Sequence, residues 1–151
     1  VRKSVLWFLV VAYCGAIFYL SSLSHPLPML TAHVWDKALH LGEYSALGVL
    51  LALACGVLDE PTAGWRSALA VFLGCVYGFS DEAHQLFVPG RDAEIGDAVA
   101  DTTGAALGTG AIWLVAMWRA TKSRRIDDGI RRDSGYNGPL REDAGRGARE
   151  E

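Results

Sequence analysis

The sequence predicts an all-α membrane protein: a small bundle of four transmembrane helices, followed by a polar tail. Three observations predict it. Residues 1–118 carry 15 charged side chains, whereas the remaining 33 residues carry 16, so a greasy body precedes a polar end. Within the body, four apolar stretches approach the ~20 residues that cross a hydrocarbon core. The polar residues inside those stretches gather toward one end of each. The expected organisation is therefore a transmembrane domain over 1–118 and a charged cytoplasmic tail over 119–151. The net charge of -3, with basic residues of the tail interleaved with Asp and Glu, argues against a nucleic-acid partner.

The first stretch, Ser4 to Leu23, has no charge and follows Arg2 and Lys3. A cleaved signal peptide would have a shorter apolar core of ~7 to 15 residues and a small-x-small site, so a retained span is expected. The second, Ala38 to Leu58, is rich in Leu and Ala but carries His40 and Glu43 near its start. The third runs from near Ser67 through Phe79 and continues as Ser80-Asp81-Glu82-Ala83-His84-Gln85-Leu86-Phe87-Val88, until Pro89-Gly90 stops it. The fourth, Ala98 to Trp118, is dense in Ala, Gly and Leu, with Asp97 as its expected N-cap and Asp101 one turn inside. From Lys122 onward few sizeable apolar residues remain, and disorder is expected there. Cys14, Cys55 and Cys75 all sit in apolar runs without a CxxC or Cys/His spacing, and read as small buried hydrophobes.

Orientation follows from the basic residues. Arg2, Lys3, Arg66, Arg119, Lys122, Arg124 and Arg125 fall on one side and only Lys37 and Arg91 on the other, which predicts a multi-pass membrane protein with both termini cytoplasmic. Trp7, Trp65, Trp113 and Trp118 then lie toward the cytoplasmic ends and Trp35 toward the outer one. Interfacial anchoring is expected, although ordinary packing serves Trp7 and Trp113 equally well.

Polar groups inside spans are expensive, at ~2.5 to 3.5 kcal/mol each for charged residues even on a lenient scale, so their placement carries information. Here every one lies at the extracytoplasmic end of its helix. Asp36, His40 and Tyr44 recur at i, i+4, i+8 on the second helix, with Lys37 beside them and Glu43 flanking. Asp81, Glu82, His84 and Gln85 form a polar arc on the third. Asp97, Asp101, Gly104 and Gly108 line one face of the fourth, and the two glycines suit either internal packing or dimerisation. Arg91, in the connecting loop, is expected close to Glu82, Asp97 or Asp101. Such charges can form a purely structural ion-pair network. Apolar residues would hold helices together as well, so a polar pocket open to the outer face is the favoured reading.

At these segments the sequence resembles the VanZ-like family of bacterial membrane proteins. The resemblance rests on Ser21-Ser22, on Asp36-Lys37-Ala38-Leu39-His40-Leu41-Gly42-Glu43-Tyr44, and on Asp81-Glu82-Ala83-His84-Gln85-Leu86-Phe87-Val88-Pro89-Gly90-Arg91, continuing through Asp97 to Gly104 and Gly108. It covers about residues 5 to 118. Carried over, the family's motif falls on Asp36, Lys37, His40, Tyr44, Glu82, Gln85, Arg91 and Asp97. Asp101 departs from it, since the family pattern usually reads Asn there. The family takes its name from a protein associated with resistance to the glycopeptide teicoplanin; resistance by this chain does not follow from that.

Three functional classes are open. The first is a binding or transport-associated protein whose pocket takes the headgroup of a membrane lipid, such as a phospholipid or a lipid-linked cell-wall intermediate. Its substrate-binding residues are Asp36, Lys37, His40, Tyr44, Asp81, Glu82, Gln85, Arg91, Asp97 and Asp101, with Lys37 and Arg91 meeting anionic groups. The second is an enzyme acting on such a lipid by hydrolysis or group transfer, with Glu82 or His40 as general acid or base. No Ser or Cys nucleophile with a dedicated His and acid is recognisable. The third is a metal site using His40, His84, Asp81, Glu82 or Asp97. Their spacing matches no metal motif, so no metal and no cofactor are expected.

Overall fold

The computed structural model describes residues 2–23 and 33–134, with side chains in 2–23 and 36–130. Four helices and no strand occur among the described residues: α1 (Lys3–Ser21), α2 (His33–Ala54), α3 (Gly64–Gln85) and α4 (Ile95–Ser134). The all-α expectation holds, with shifted ends. The chain divides into two units, Val1–Trp118 and Arg119–Glu151.

Helix α2 stops at Ala54 rather than running on to Leu58, because Gly56 adopts a positive φ of 77°. Gly56 N–H donates to Leu53 O at 3.1 Å and Val57 N–H to Ala52 O at 3.0 Å, the paired bonds of a Schellman cap, and the buried Val57 supplies its apolar contact. At the other end of α3, Gly90 turns the chain with a φ of 84°, as the Pro-Gly pair predicts.

Asp97 is not the N-cap of α4. The helix begins at Ile95, and Asp97 and Ala98 N–H already donate to Glu94 O at 3.0 and 3.4 Å, which puts Asp97 in the first turn. A carboxylate there still meets the positive end of the helix dipole. At its far end α4 continues past Lys122 to Ser134, into the stretch where the sequence suggested no structure. Side chains here are exposed up to Ile130, and residues 135–151 lie outside the described residues.

In the first unit α2 is the central helix. It buries Tyr44, Leu47, Leu51, Ala52 and Ala54, and Leu39 is its one exposed large hydrophobic among the described residues. Val10 and Ile17 of α1 and Ala70 of α3 complete the core. Tyr13 of α1 donates to Glu43 O of α2 at 3.1 Å, and Tyr77 of α3 to Cys14 O of α1 at 2.6 Å. Helix α4 comes so close to α2 that a methyl group at Gly108 would run into the carbonyl oxygen of Ser45, and one at Gly104 into that of Leu41. The glycine stripe, open between packing and dimerisation in the sequence, therefore serves internal packing.

The outer surface is apolar. Phe8, Val11 and Phe18 on α1, Phe72, Val76 and Phe79 on α3, and Val99, Leu107 and Leu114 on α4 are all exposed, whereas small and polar residues face inward. Helix α1 and the Ile95–Ile130 part of α4 are long and apolar enough to cross a membrane. Helices α2 and α3 fall short on apolarity because Asp36, Lys37, Glu43, Arg66, Asp81 and Glu82 stand within them. Trp7, Trp65, Trp113 and Trp118 are exposed. The side chain of Trp35 lies outside the described residues.

Candidate functional site

The polar residues singled out by position converge at one end of the first unit, where α1 and α3 finish and α2 and α4 begin. His40, Asp81, Glu82, Gln85, Asp97 and Asp101 are all buried, and Tyr44 and Asp101 are 0% exposed. Asp36, Lys37 and Arg91 are half-buried around them. The stripe on α2, the arc on α3 and the first turns of α4 meet because the small residues between helices permit close approach: a methyl group at Gly78 would strike Asp101, and one at Gly74 would strike Ala105.

Each group has a defined setting. His40 Nδ1 and Asp101 Oδ1 are 2.9 Å apart, an imidazole held by a carboxylate. Lys37 Nζ donates to Glu94 Oε2 at 2.8 Å and to Asp97 Oδ1 at 2.9 Å. Asp81 Oδ2 accepts from Ser21 Oγ at 2.7 Å and Gln85 Nε2 at 3.3 Å. Glu82 Oε2 accepts from Glu94 N–H at 2.9 Å, so the loop before α4 is tied back to α3.

Arg91 behaves differently from expectation. Among the described residues it forms no ion pair with Glu82, Asp97 or Asp101; its Nε donates to Leu23 O beyond the end of α1, at 3.2 Å. The loop tightens through Arg91 N–H to Val88 O at 3.1 Å. Lys37 takes the place among the acids that Arg91 was expected to fill. His84 faces α1 instead, stacked on Phe18 with ring centroids 4.2 Å apart and 3.0 Å from Ser22 Oγ. Ser22 Oγ also reaches Phe18 O at 2.7 Å, so the hydroxyl has two hydrogen-bond partners there.

Three residues outside the expected site set take part. Ser21 and Ser22, which carry the resemblance without an expected site role, and Glu94 contribute bonds, and the signal for each is its place at the same helix ends as the other site residues. What distinguishes the cluster is its unmet capacity. Asp81 Oδ1, Glu82 Oε1, Asp101 Oδ2 and Tyr44 Oη are enclosed with no hydrogen-bond partner among the described residues. Buried oxygens of this kind cost free energy unless something satisfies them.

Below the cluster, a cavity of about 270 Å³ opens between α1, α2 and α3, lined by apolar side chains including Val10, Leu47, Leu51 and Leu73. Tyr77 and Ser80, which also line it, lie within a turn or so of Asp81. Comparison with known sequences finds that the model of the family described as VanZ/LLP1 matches residues 5–116. No curated protein and no solved structure matches the chain.

Proposed function

The chain belongs to the VanZ/LLP1 family, and from that premise we propose a four-span membrane protein whose polar cluster, at the extracytoplasmic end, binds the headgroup of a cell-envelope lipid or lipid-linked wall precursor. The exposed aromatic and aliphatic side chains on α1, α3 and α4 support residence in lipid, where they carry no hydrophobic penalty. Helix α2, though less apolar, is largely sheltered by its neighbours. The basic residues at the opposite end, with exposed Trp7 and Trp65 nearby, support cytoplasmic termini and a disposition with 1–118 in the membrane and the charged tail outside it.

The observation that carries the reading is the set of enclosed, unpartnered oxygens on Tyr44, Asp81, Glu82 and Asp101. Carboxylates accept hydrogen bonds, so the complementary headgroup bears hydroxyl or ammonium donors. Arg91, at the rim, meets its phosphate, and the apolar cavity beneath accommodates part of its hydrocarbon chain. Lys37, already shared between Glu94 and Asp97, positions the acids rather than contacting the ligand. Family membership makes teicoplanin susceptibility the cellular phenotype to follow. Binding of a labelled envelope lipid to purified protein, measured in wild type and in the Arg91→Ala, Gln85→Ala variant, tests the reading: the variant is expected to lose binding, and unchanged binding would overturn it.

A second reading has its own support. The His40–Asp101 pair at 2.9 Å is the base-and-orienter half of an acid–base site, with Glu82 beside it. Chemistry on the bound lipid would change the profile of lipid-linked precursors between cells with wild-type protein and with Glu82→Gln; identical profiles count against it.

A further inference from the structure

The sequence contains no metal motif, yet the fold draws ligand-type residues from three helices to one point. Donor atoms of His40 on α2, Glu82 on α3 and Asp101 on α4 lie within 4.8 Å of one another, and all three side chains are buried. Glu82 Oε1 and Asp101 Oδ2 are among the enclosed oxygens that have no hydrogen-bond partner in the described residues. A carboxylate oxygen in such surroundings is stabilised by a proton or a cation, and a neighbouring imidazole adds a nitrogen ligand for the cation.

We propose that His40, Glu82 and Asp101 bind one divalent transition-metal ion of the Zn2+ or Mn2+ kind. One imidazole with two carboxylates suits that class, whereas Ca2+ and Mg2+ favour oxygen ligands alone. Three ligand atoms at ~2.0 to 2.2 Å from one ion stand about 3.3 to 3.8 Å apart, so ligation draws the three side chains together by up to about 1.5 Å. The ion's charge balances the two carboxylates. Asp81, anchored by Ser21 and Gln85, borders the site from α3, and Asp97 borders it from α4, anchored by Lys37. A second set, Asp36, His40 and Asp97, is equally compact, but its Asp97 is already engaged by Lys37 and its Asp36 is more exposed. The metal site stands independently of lipid binding. Only its corollary, that the ion lets an acidic pocket hold a lipid phosphate, rests on the proposed function.

The test uses the full chain, purified in detergent, stripped of metal, equilibrated with Zn2+ or Mn2+ alone and analysed for bound metal. Wild type is expected to bind one equivalent of at least one of the two. Glu82→Gln should bind more weakly by at least the ~10- to 100-fold that even an outer-shell change costs, and Glu60→Gln, at the opposite end of the unit, should match wild type. No stoichiometric metal in the wild type overturns the proposal, so it stays testable if Glu82→Gln fails to fold. Equal affinity in a folded Glu82→Gln, or an equal loss in Glu60→Gln, overturns it too. Because no lipid is present, failure of the headgroup reading leaves these outcomes unaffected.

Discussion

The two ends of the first unit handle polar groups in opposite ways. Where α2 passes to α3, Arg66 Nη1 donates to Gly56 O at 3.1 Å and its Nη2 pairs with Glu60 at 2.8 Å. Glu60 is 60% exposed, and Trp113 Nε1 closes the same turn by donating to Pro61 O at 3.1 Å. Only Arg66 Nε is left enclosed without a partner there among the described residues, against four oxygens at the other end. Charges that merely close a turn sit near solvent and are largely satisfied. Those at the cluster end are drawn inward by four helices and left partly unsatisfied, which structure alone does not require.

The largest expected effect attacks the packing that creates this difference. Gly108→Leu drives a side chain into the backbone of Ser45, where no flexible group can yield. Overpacking that costs ~1 to 3 kcal/mol where side chains can yield finds no such relief against backbone, so little folded protein should survive in a detergent melting assay. Normal melting would show that α2 and α4 are further apart than described.

Next comes His40→Ala, which leaves Asp101 buried without its partner. Breaking a buried pair on one side costs ~3 to 5 kcal/mol, and His40→Leu combined with Asp101→Leu should recover part of it. A single variant as stable as wild type would mean the pair is not enclosed. Removing Lys37 as Lys37→Met should destabilise less, since Lys37 is half-exposed, with Asp97→Asn restoring much of the loss.

The smallest effect is expected at the opposite end: Glu60→Gln should change stability by no more than ~1 kcal/mol, as for exposed ion pairs generally.

Much of this contrast could be read from sequence. The i, i+4, i+8 spacing of Asp36, His40 and Tyr44 places them on one face of any helix, and a polar residue in an apolar run is conspicuous wherever the run folds. Partners were harder to read. Lys37 and Arg91 both had acids within plausible reach, and only the actual path of the loop gives Lys37 to Glu94 and Asp97 while Arg91 meets Leu23 O. The convergence of His40, Glu82 and Asp101 depends on three helices approaching through glycines, a distance that no spacing along the chain encodes. The end of α2 was misplaced because apolar character continues through Val57, whereas the helix is closed by backbone geometry at Gly56.

Native mass spectrometry of the protein released gently from its membrane tests most directly whether the cluster end is the binding site. Wild type and the Glu60→Gln variant are predicted to retain the same lipid, and the Arg91→Ala, Gln85→Ala variant to lose it. Equal retention by all three, or loss only on altering the opposite end, would contradict the account.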